Sequence, residues 1–77
     1  MRVRYVWNDH ECFLVTLDGT LVGMLFKTFE GYWTFRHYEV EDDELQAFLT
    51  ASFPSAYYEK LIIAKREIGK KLRGWCG

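Results

Sequence analysis

The hydrophobic pattern of this chain changes its period near residue 40. Before that point, short runs rich in aromatic and β-branched residues alternate with turn residues, which is typical of β-strands. After it, Leu45, Phe48 and Leu49 recur at helical spacing. The change predicts an α+β fold in which a sheet comes first and helices follow it along the chain.

The first half predicts four strands at about residues 2–7, 12–17, 20–29 and 32–38. Asp18-Gly19 supplies the two positive-φ positions of a type I′ hairpin, and Glu30-Gly31 is the next turn signal. Because all three connections are short, consecutive strands should pair as an antiparallel meander.

The second half predicts two helices, at about residues 41–52 and 54–73. Pro54 breaks the first helix and suits the first turn of the second, and Gly74 is a natural stop. With only 77 residues, the chain should form one small domain whose two helices cover one face of the sheet.

Pairing across the two turns predicts which sheet face is the core. It places Val15 opposite Val22 and Phe26 opposite Phe35. The predicted core face carries Phe13, Val15, Leu17, Val22, Met24, Phe26, Trp33 and Phe35. The facing of strand one stays undecided. A four-residue loop after this strand would place Tyr5 and Trp7 on the second face, whereas a loop one residue longer or shorter would place them in the core.

The second face could be an interface. If Tyr5 and Trp7 lie there, they join Leu14, Leu21 and Leu25 in an open apolar patch of the kind that marks protein contacts. A homodimer through this patch is one expectation, because small cores are often stabilised by oligomerisation. Arg36 and Lys27 on the same face argue for a monomer, so both states stay open.

Composition excludes several classes of protein. Hydrophobic residues make up 49% of the chain and aromatic residues 18%, which is too many for a disordered chain. No uncharged run approaches the roughly 18 residues of a membrane span. The N-terminus lacks the apolar region of a signal peptide, and two cysteines, Cys12 and Cys76, are too few for a disulfide framework. We therefore expect a cytoplasmic protein with free thiols and no membrane contact.

No catalytic or metal-binding constellation is evident. His10, Cys12, His37 and Cys76 lack the spacing of a zinc site, and neither cysteine has an evident activating partner. The chain also lacks phosphate-binding loops and nucleophile elbows. The sequence predicts neither enzymatic activity nor a cofactor.

Charge is distributed unevenly, although the net charge is only −1. Residues 1–53 carry a net −5 and residues 54–77 a net +4. An acidic cluster contains Glu39, Glu41, Asp42, Asp43 and Glu44. It can be interpreted as the favourable charge of a helix N-terminus, or as a docking surface for a basic partner.

The predicted second helix carries the opposite charge. Its basic residues are Lys65, Arg66, Lys70, Lys71 and Arg73. They can be interpreted as a solvated helix face or as contacts to a phosphate backbone. The acidic remainder of the chain would repel nucleic acid, which favours a protein partner.

These features predict a small non-enzymatic binding protein that modulates or inhibits a larger protein or protein–nucleic acid machine. By analogy of size and class, we expect a phage or mobile-element accessory protein that inhibits host defence, anti-CRISPR-like or anti-restriction-like. The alternative is a small nucleic-acid-binding protein that uses the basic C-terminal helix.

Overall fold

The computed structural model describes residues 2–75, and it confirms the α+β prediction. One antiparallel sheet has the strand order β1-β2-β3-β4-β5, with five strands rather than the four expected. The elements, in chain order, are β1 (Val3–Asp9), β2 (Cys12–Leu17), β3 (Thr20–Lys27), β4 (Trp33–His37), α1 (Asp43–Ser52), β5 (Tyr57–Tyr58) and α2 (Leu61–Leu72).

The turn between β2 and β3 has the predicted type. Asp18 and Gly19 both have positive φ, at 51° and 86°, and Leu17 lies opposite Thr20. Asp tolerates the left-handed region better than most residues, and Gly occupies it without steric cost. The Asp18-Gly19 prediction is therefore confirmed.

The register of β3 differs from the prediction because β3 contains a bulge. Thr16 pairs with Leu21 but Val15 pairs with Gly23, which leaves Val22 as an extra residue. The expected pairing of Val15 with Val22 is therefore wrong. Beyond the bulge, Leu25 turns towards the helices and Met24 turns away from them, the reverse of the expected facing.

The connection between β3 and β4 is longer than expected. It spans residues 28–32, with the Thr28 amide donating to the Tyr32 carbonyl oxygen at 2.6 Å. Phe26 consequently lies opposite Thr34 rather than Phe35. Since paired residues share a sheet face, Phe26 belongs with Thr34 on the face opposite to the core, which corrects its predicted core position.

The pairing of β1 with β2 shows on which sheet face Tyr5 and Trp7 lie, which the sequence left undecided. Tyr5 lies opposite Val15 and Trp7 opposite Phe13, and a register shift between Trp7 and Asp9 makes Asn8 an extra residue. Tyr5 and Trp7 therefore lie on the same face as Val15, which the helices cover.

The second helix begins at Leu61 and not near residue 54. The preceding residues form β5, in which Tyr58 pairs with Trp33 and Tyr57 with Thr34. The Thr34 hydroxyl also donates a 2.7 Å hydrogen bond to the Ala56 carbonyl oxygen. Pairing with the open edge of β4 thus outweighs the helix-start signal of Pro54.

One apolar cluster joins the sheet to both helices. Val15, Val22 and Leu25 contribute from the sheet, Leu49 from α1 and Ile68 from α2, and all five are fully buried. Within residues 2–75, neither helix has the length and apolar character that crossing a membrane would require.

Candidate interaction surfaces

The predicted acidic cluster spans the connection from β4 to α1 and the first turn of α1. We call residues 39–44 the acidic segment. Its five carboxylate side chains, those of Glu39, Glu41, Asp42, Asp43 and Glu44, are all exposed. The segment follows the C-terminal end of β4, at the end of the sheet where β3 begins.

Two contacts fix the backbone of the acidic segment. The Asp42 side chain is the N-cap of α1 and accepts hydrogen bonds from the amides of Glu44, at 2.9 Å, and Leu45, at 3.1 Å. The Val40 amide donates to Gln46 Oε1 at 2.8 Å, while the Val40 side chain packs against the core. The helix-capping interpretation therefore applies to Asp42, and the neighbouring carboxylates project from a fixed backbone.

An open depression of about 440 Å³ borders the acidic segment. Glu39, Glu41 and Asp42 line it together with Leu21 of β3. The Leu21 side chain is 42% exposed. Charge and exposed apolar surface therefore meet at this end of the sheet.

The sheet face opposite the helices, which we call the outer face, is largely apolar at its centre. The register places Val6, Leu14 and Met24 side by side across three strands, with Arg36 at the end of the row. Leu21 and Phe26 lie on the same face in the neighbouring rows. No described helix covers this face, because both helices pack on the other one.

The five residues predicted as an apolar interface do not share a face. Leu14 and Leu21 lie on the outer face, but Leu25 is fully buried in the core. Tyr5 and Trp7 lie on the helix-covered face, where Tyr5 is half-buried and Trp7 is 65% exposed at the sheet edge. The bulge at Val22 is the physical reason for the changed position of Leu25.

Aromatic rings engage two of the five predicted basic side chains. The Lys65 ammonium nitrogen lies 4.4 Å from the centroid of the Phe13 ring and 5.5 Å from that of Tyr5. The Lys71 ammonium nitrogen lies 5.6 Å from the centroid of Phe53. Such contacts stabilise packing. The Lys65 side chain is half-buried, whereas that of Lys71 stays exposed.

The three other predicted basic residues, Arg66 and Lys70 of α2 and Arg73 at its C-terminal end, are exposed as well. Arg73 lies close to the Tyr5 hydroxyl, since both would contact a Cβ atom added at Gly69. Burial raises the pKa of Tyr5, although the positive charge of Arg73 acts in the opposite direction. The phenol is therefore the protonated hydrogen-bond donor at neutral pH.

A groove beside the open edge of β4 was not evident from the sequence. It has a volume of about 390 Å³ and is lined in part by Phe26, Arg36, His37 and Tyr57. A second groove of about 380 Å³, beside Tyr32, shares Tyr57 with it. The short strand β5 creates this arrangement, and a two-residue strand gives too weak a pattern to be found in a sequence.

The described residues show no chemistry of a metal site or a reactive thiol. Within residues 2–75, no group of three or more His, Cys, Asp or Glu side chains could hold a metal ion. Cys12 is a buried free cysteine, and burial, with a smaller effect from Asp9, raises the pKa of its thiol. Cys76 lies outside the described residues.

Comparison with known proteins finds no family model, curated protein or solved structure that matches this chain.

Proposed function

We propose that this chain is a non-enzymatic binding protein that docks its acidic segment against a basic surface of a larger protein or nucleoprotein machine. One observation carries the proposal: five exposed carboxylates occupy six consecutive residues on a backbone fixed at Val40 and Asp42. Charges held on a fixed frame lose little conformational entropy when a partner binds.

The surroundings of the acidic segment suit a protein partner. Protein interfaces combine an apolar centre with a polar rim. Here, the outer face supplies exposed apolar side chains, and Leu21 lies both on that face and in the acidic depression. The carboxylates would guide association and fix the orientation, and the apolar side chains would supply affinity.

The target class we propose is a cytoplasmic enzyme that grips nucleic acid with Lys and Arg side chains, such as a host-defence nuclease. Carboxylates can compete with phosphates for these cations. The chain would then be an anti-CRISPR-like or anti-restriction-like inhibitor carried by a phage or mobile element. Its small size and its acidic segment support this assignment by analogy.

The test measures displacement of labelled nucleic acid from a CRISPR effector and from a restriction endonuclease by fluorescence anisotropy. We expect the protein to release nucleic acid from at least one of them. The variant Glu39→Lys with Glu41→Lys should lose this effect, since both residues are exposed and precede α1. Neither caps the helix, so the fold should be retained.

A matched control makes the same charge change elsewhere. Glu11→Lys with Glu30→Lys alters two exposed residues in the turns at the opposite end of the sheet. The control should inhibit as the native chain does. Equal loss in both variants would show that only net charge matters, and full inhibition by the Glu39/Glu41 variant would contradict the proposed docking site.

Direct nucleic-acid binding is the second candidate, and the exposed Arg66, Lys70 and Arg73 favour it. A mobility-shift assay with single- and double-stranded probes at low salt tests it. Binding through α2 predicts a shift that Arg66→Glu with Lys70→Glu abolishes. A shift abolished instead by Arg36→Glu with Tyr57→Ala would assign binding to the β4–β5 groove. No shift at tens of micromolar protein would exclude this function, because even non-specific binding reaches roughly micromolar affinity.

A further inference from the structure

We infer that the free edge of β1 pairs with the same edge of a second copy of this chain, forming a two-fold symmetric dimer with one continuous sheet. This inference does not rest on the acidic segment, which follows β4 and not β1. It rests on the hydrogen-bonding pattern of β1 and on the arrangement of its side chains.

The main-chain groups of β1 alternate between the sheet and the free edge. The Asp18 amide donates to the Arg2 carbonyl oxygen at 2.8 Å, and the pairing with β2 is regular from Val3 to Trp7. Bonded and non-bonded pairs alternate in an antiparallel ladder. The amide and carbonyl groups of Val3, Tyr5 and Trp7 therefore point away from β2, to the edge where no other strand of the described chain lies.

This edge carries little of the usual protection. Exposed edges of soluble proteins are commonly very short, or protected by charged side chains, proline or a bulge. The regular part of β1, Val3–Trp7, contains one charged residue, the exposed Arg4, and no proline, and its first bulge comes only at Asn8. Val6 is 47% exposed on the outer face and Trp7 is 65% exposed on the other. A second strand could therefore add both main-chain bonds and apolar contacts.

The charges flanking the edge favour an antiparallel copy of the same strand. Arg2 and Arg4 are basic and lie in the N-terminal half, while Asp9 and Glu11 are acidic and lie at the C-terminal end and in the turn that follows. Antiparallel pairing places the basic half of one copy beside the acidic half of the other. Parallel pairing would place like charges together.

One pairing register suits the side chains on both faces of the joined sheet. If the two-fold axis passes between the two Val6 residues, Tyr5 of one copy lies opposite Trp7 of the other, and Arg4 lies opposite Asn8. The outward-pointing groups of Tyr5 and Trp7 are then correctly placed to bond. On the outer face, the row Val6–Leu14–Met24 would continue across the axis into its own copy. Moving the axis to Arg4 would set two arginines against each other, which is destabilising.

The contact is small, since it consists of one strand edge and its flanking side chains. Interfaces below the standard size of roughly 1,600 Å² are commonly weak or transient. The dimer should therefore form in the micromolar range and dissociate on dilution.

Sedimentation equilibrium and hydrogen exchange test the inference on the full chain. We expect the average mass to rise from 9.2 kDa towards twice that value with concentration, while the amides of Tyr5 and Trp7 become protected. Val6→Lys should weaken association at least ten-fold. The matched control Phe29→Lys changes a fully exposed residue in the β3–β4 connection, and it should leave association unchanged.

A pair of variants with complementary charge changes distinguishes weakened association from misfolding. The acidic form carries Arg2→Glu and Arg4→Glu, and the basic form carries His10→Lys and Glu11→Lys. Each alone should associate more weakly than the native chain, and their mixture should form heterodimers. A monomer at high micromolar concentration with freely exchanging Tyr5 and Trp7 amides would overturn the inference. A dimer unaffected by Val6→Lys would overturn it as well.

Discussion

The hydroxyl group of Tyr5 donates a 2.6 Å hydrogen bond to the main-chain carbonyl oxygen of Lys65, which lies 60 residues later in the chain. This bond links the edge strand β1 to α2, across the face that the helices cover. The Lys65 ammonium group in turn lies above the Tyr5 and Phe13 rings. Strand and helix are thus held together by a main-chain acceptor on one residue and by its side-chain cation.

The first prediction concerns the stability of this link. Tyr5→Phe keeps the ring and removes the donor, so the free energy of unfolding should fall by about 1 kcal/mol, the usual contribution of one hydrogen bond. Urea denaturation measures the change. Tyr32→Phe is the matched control, because Tyr32 is exposed. A loss equal to that of the control would show that the Tyr5 bond contributes nothing.

The same hydrogen bond makes the free energy of unfolding vary with pH in the alkaline range. Burial raises the pKa of Tyr5 above its ordinary value of 10.0, so the folded state favours the protonated phenol. The stabilisation is complete below about pH 10 and is lost as the pH rises through the higher folded-state pKa. The difference in stability between the native chain and Tyr5→Phe should therefore shrink above pH 10. A difference that stays constant throughout this range would contradict the assignment.

A third prediction concerns Gly23, beside the bulge in β3. A Cβ atom there would lie 2.5 Å from the Arg36 carbonyl oxygen and 2.5 Å from Cζ of the Phe35 ring. Gly23→Ala should destabilise the fold by at least about 1–3 kcal/mol, because the ring and the neighbouring strand must both move. Thermal unfolding measures it, with exposed Thr20→Ala as control. Phe35→Leu should relieve part of the cost in the double variant, and strictly additive losses would refute the steric explanation.

Gly23 also shows why the sequence predicted the fold class but not the register. The change of period near residue 40 and the Asp18-Gly19 turn are local signals, and both predictions held. Local sequence does not determine which side chains of β3 face the core. Residues 21–26 are almost all apolar, so alternation cannot distinguish the two faces. The bulge shifts the register, and it places Gly23 where a Cβ atom would collide with the Phe35 ring.

The candidate surfaces were only partly predictable for the same reason. The acidic segment is contiguous in sequence, so its location followed from composition and the position of the first helix. The outer face and the β4–β5 groove depend on the bulge at Val22 and on the two-residue strand β5. Both features arise from tertiary packing, which outweighs local propensity there.

A fourth prediction tests the corrected register directly. Leu25 is fully buried, whereas Met24 is partly exposed on the outer face. Leu25→Ala should cost about 2–5 kcal/mol of unfolding free energy, as cavities in cores do. Met24→Ala should cost clearly less. Chemical denaturation of both variants decides between the registers, and a larger loss from Met24→Ala would restore the unbulged pairing.

The last prediction separates the two roles of Asp42, which caps α1 and contributes charge to the acidic segment. Asp42→Ala removes the side-chain acceptor for the Glu44 and Leu45 amides, so it should cost about 1 kcal/mol of stability. Asp42→Asn keeps a capping oxygen and removes the charge, and stability should change little because Asn is as good an N-cap as Asp.

The two variants should then differ in stability and agree in binding. If the acidic segment docks on a basic partner, both lose one negative charge and both should weaken displacement of nucleic acid from the target enzyme. Urea unfolding and the anisotropy assay measure the two quantities on the same samples. Equal destabilisation by Ala and Asn would exclude capping as the role of the Asp42 side chain. If displacement instead tracked stability, falling with Ala and unchanged with Asn, Asp42 would act on the partner only by holding α1 in place.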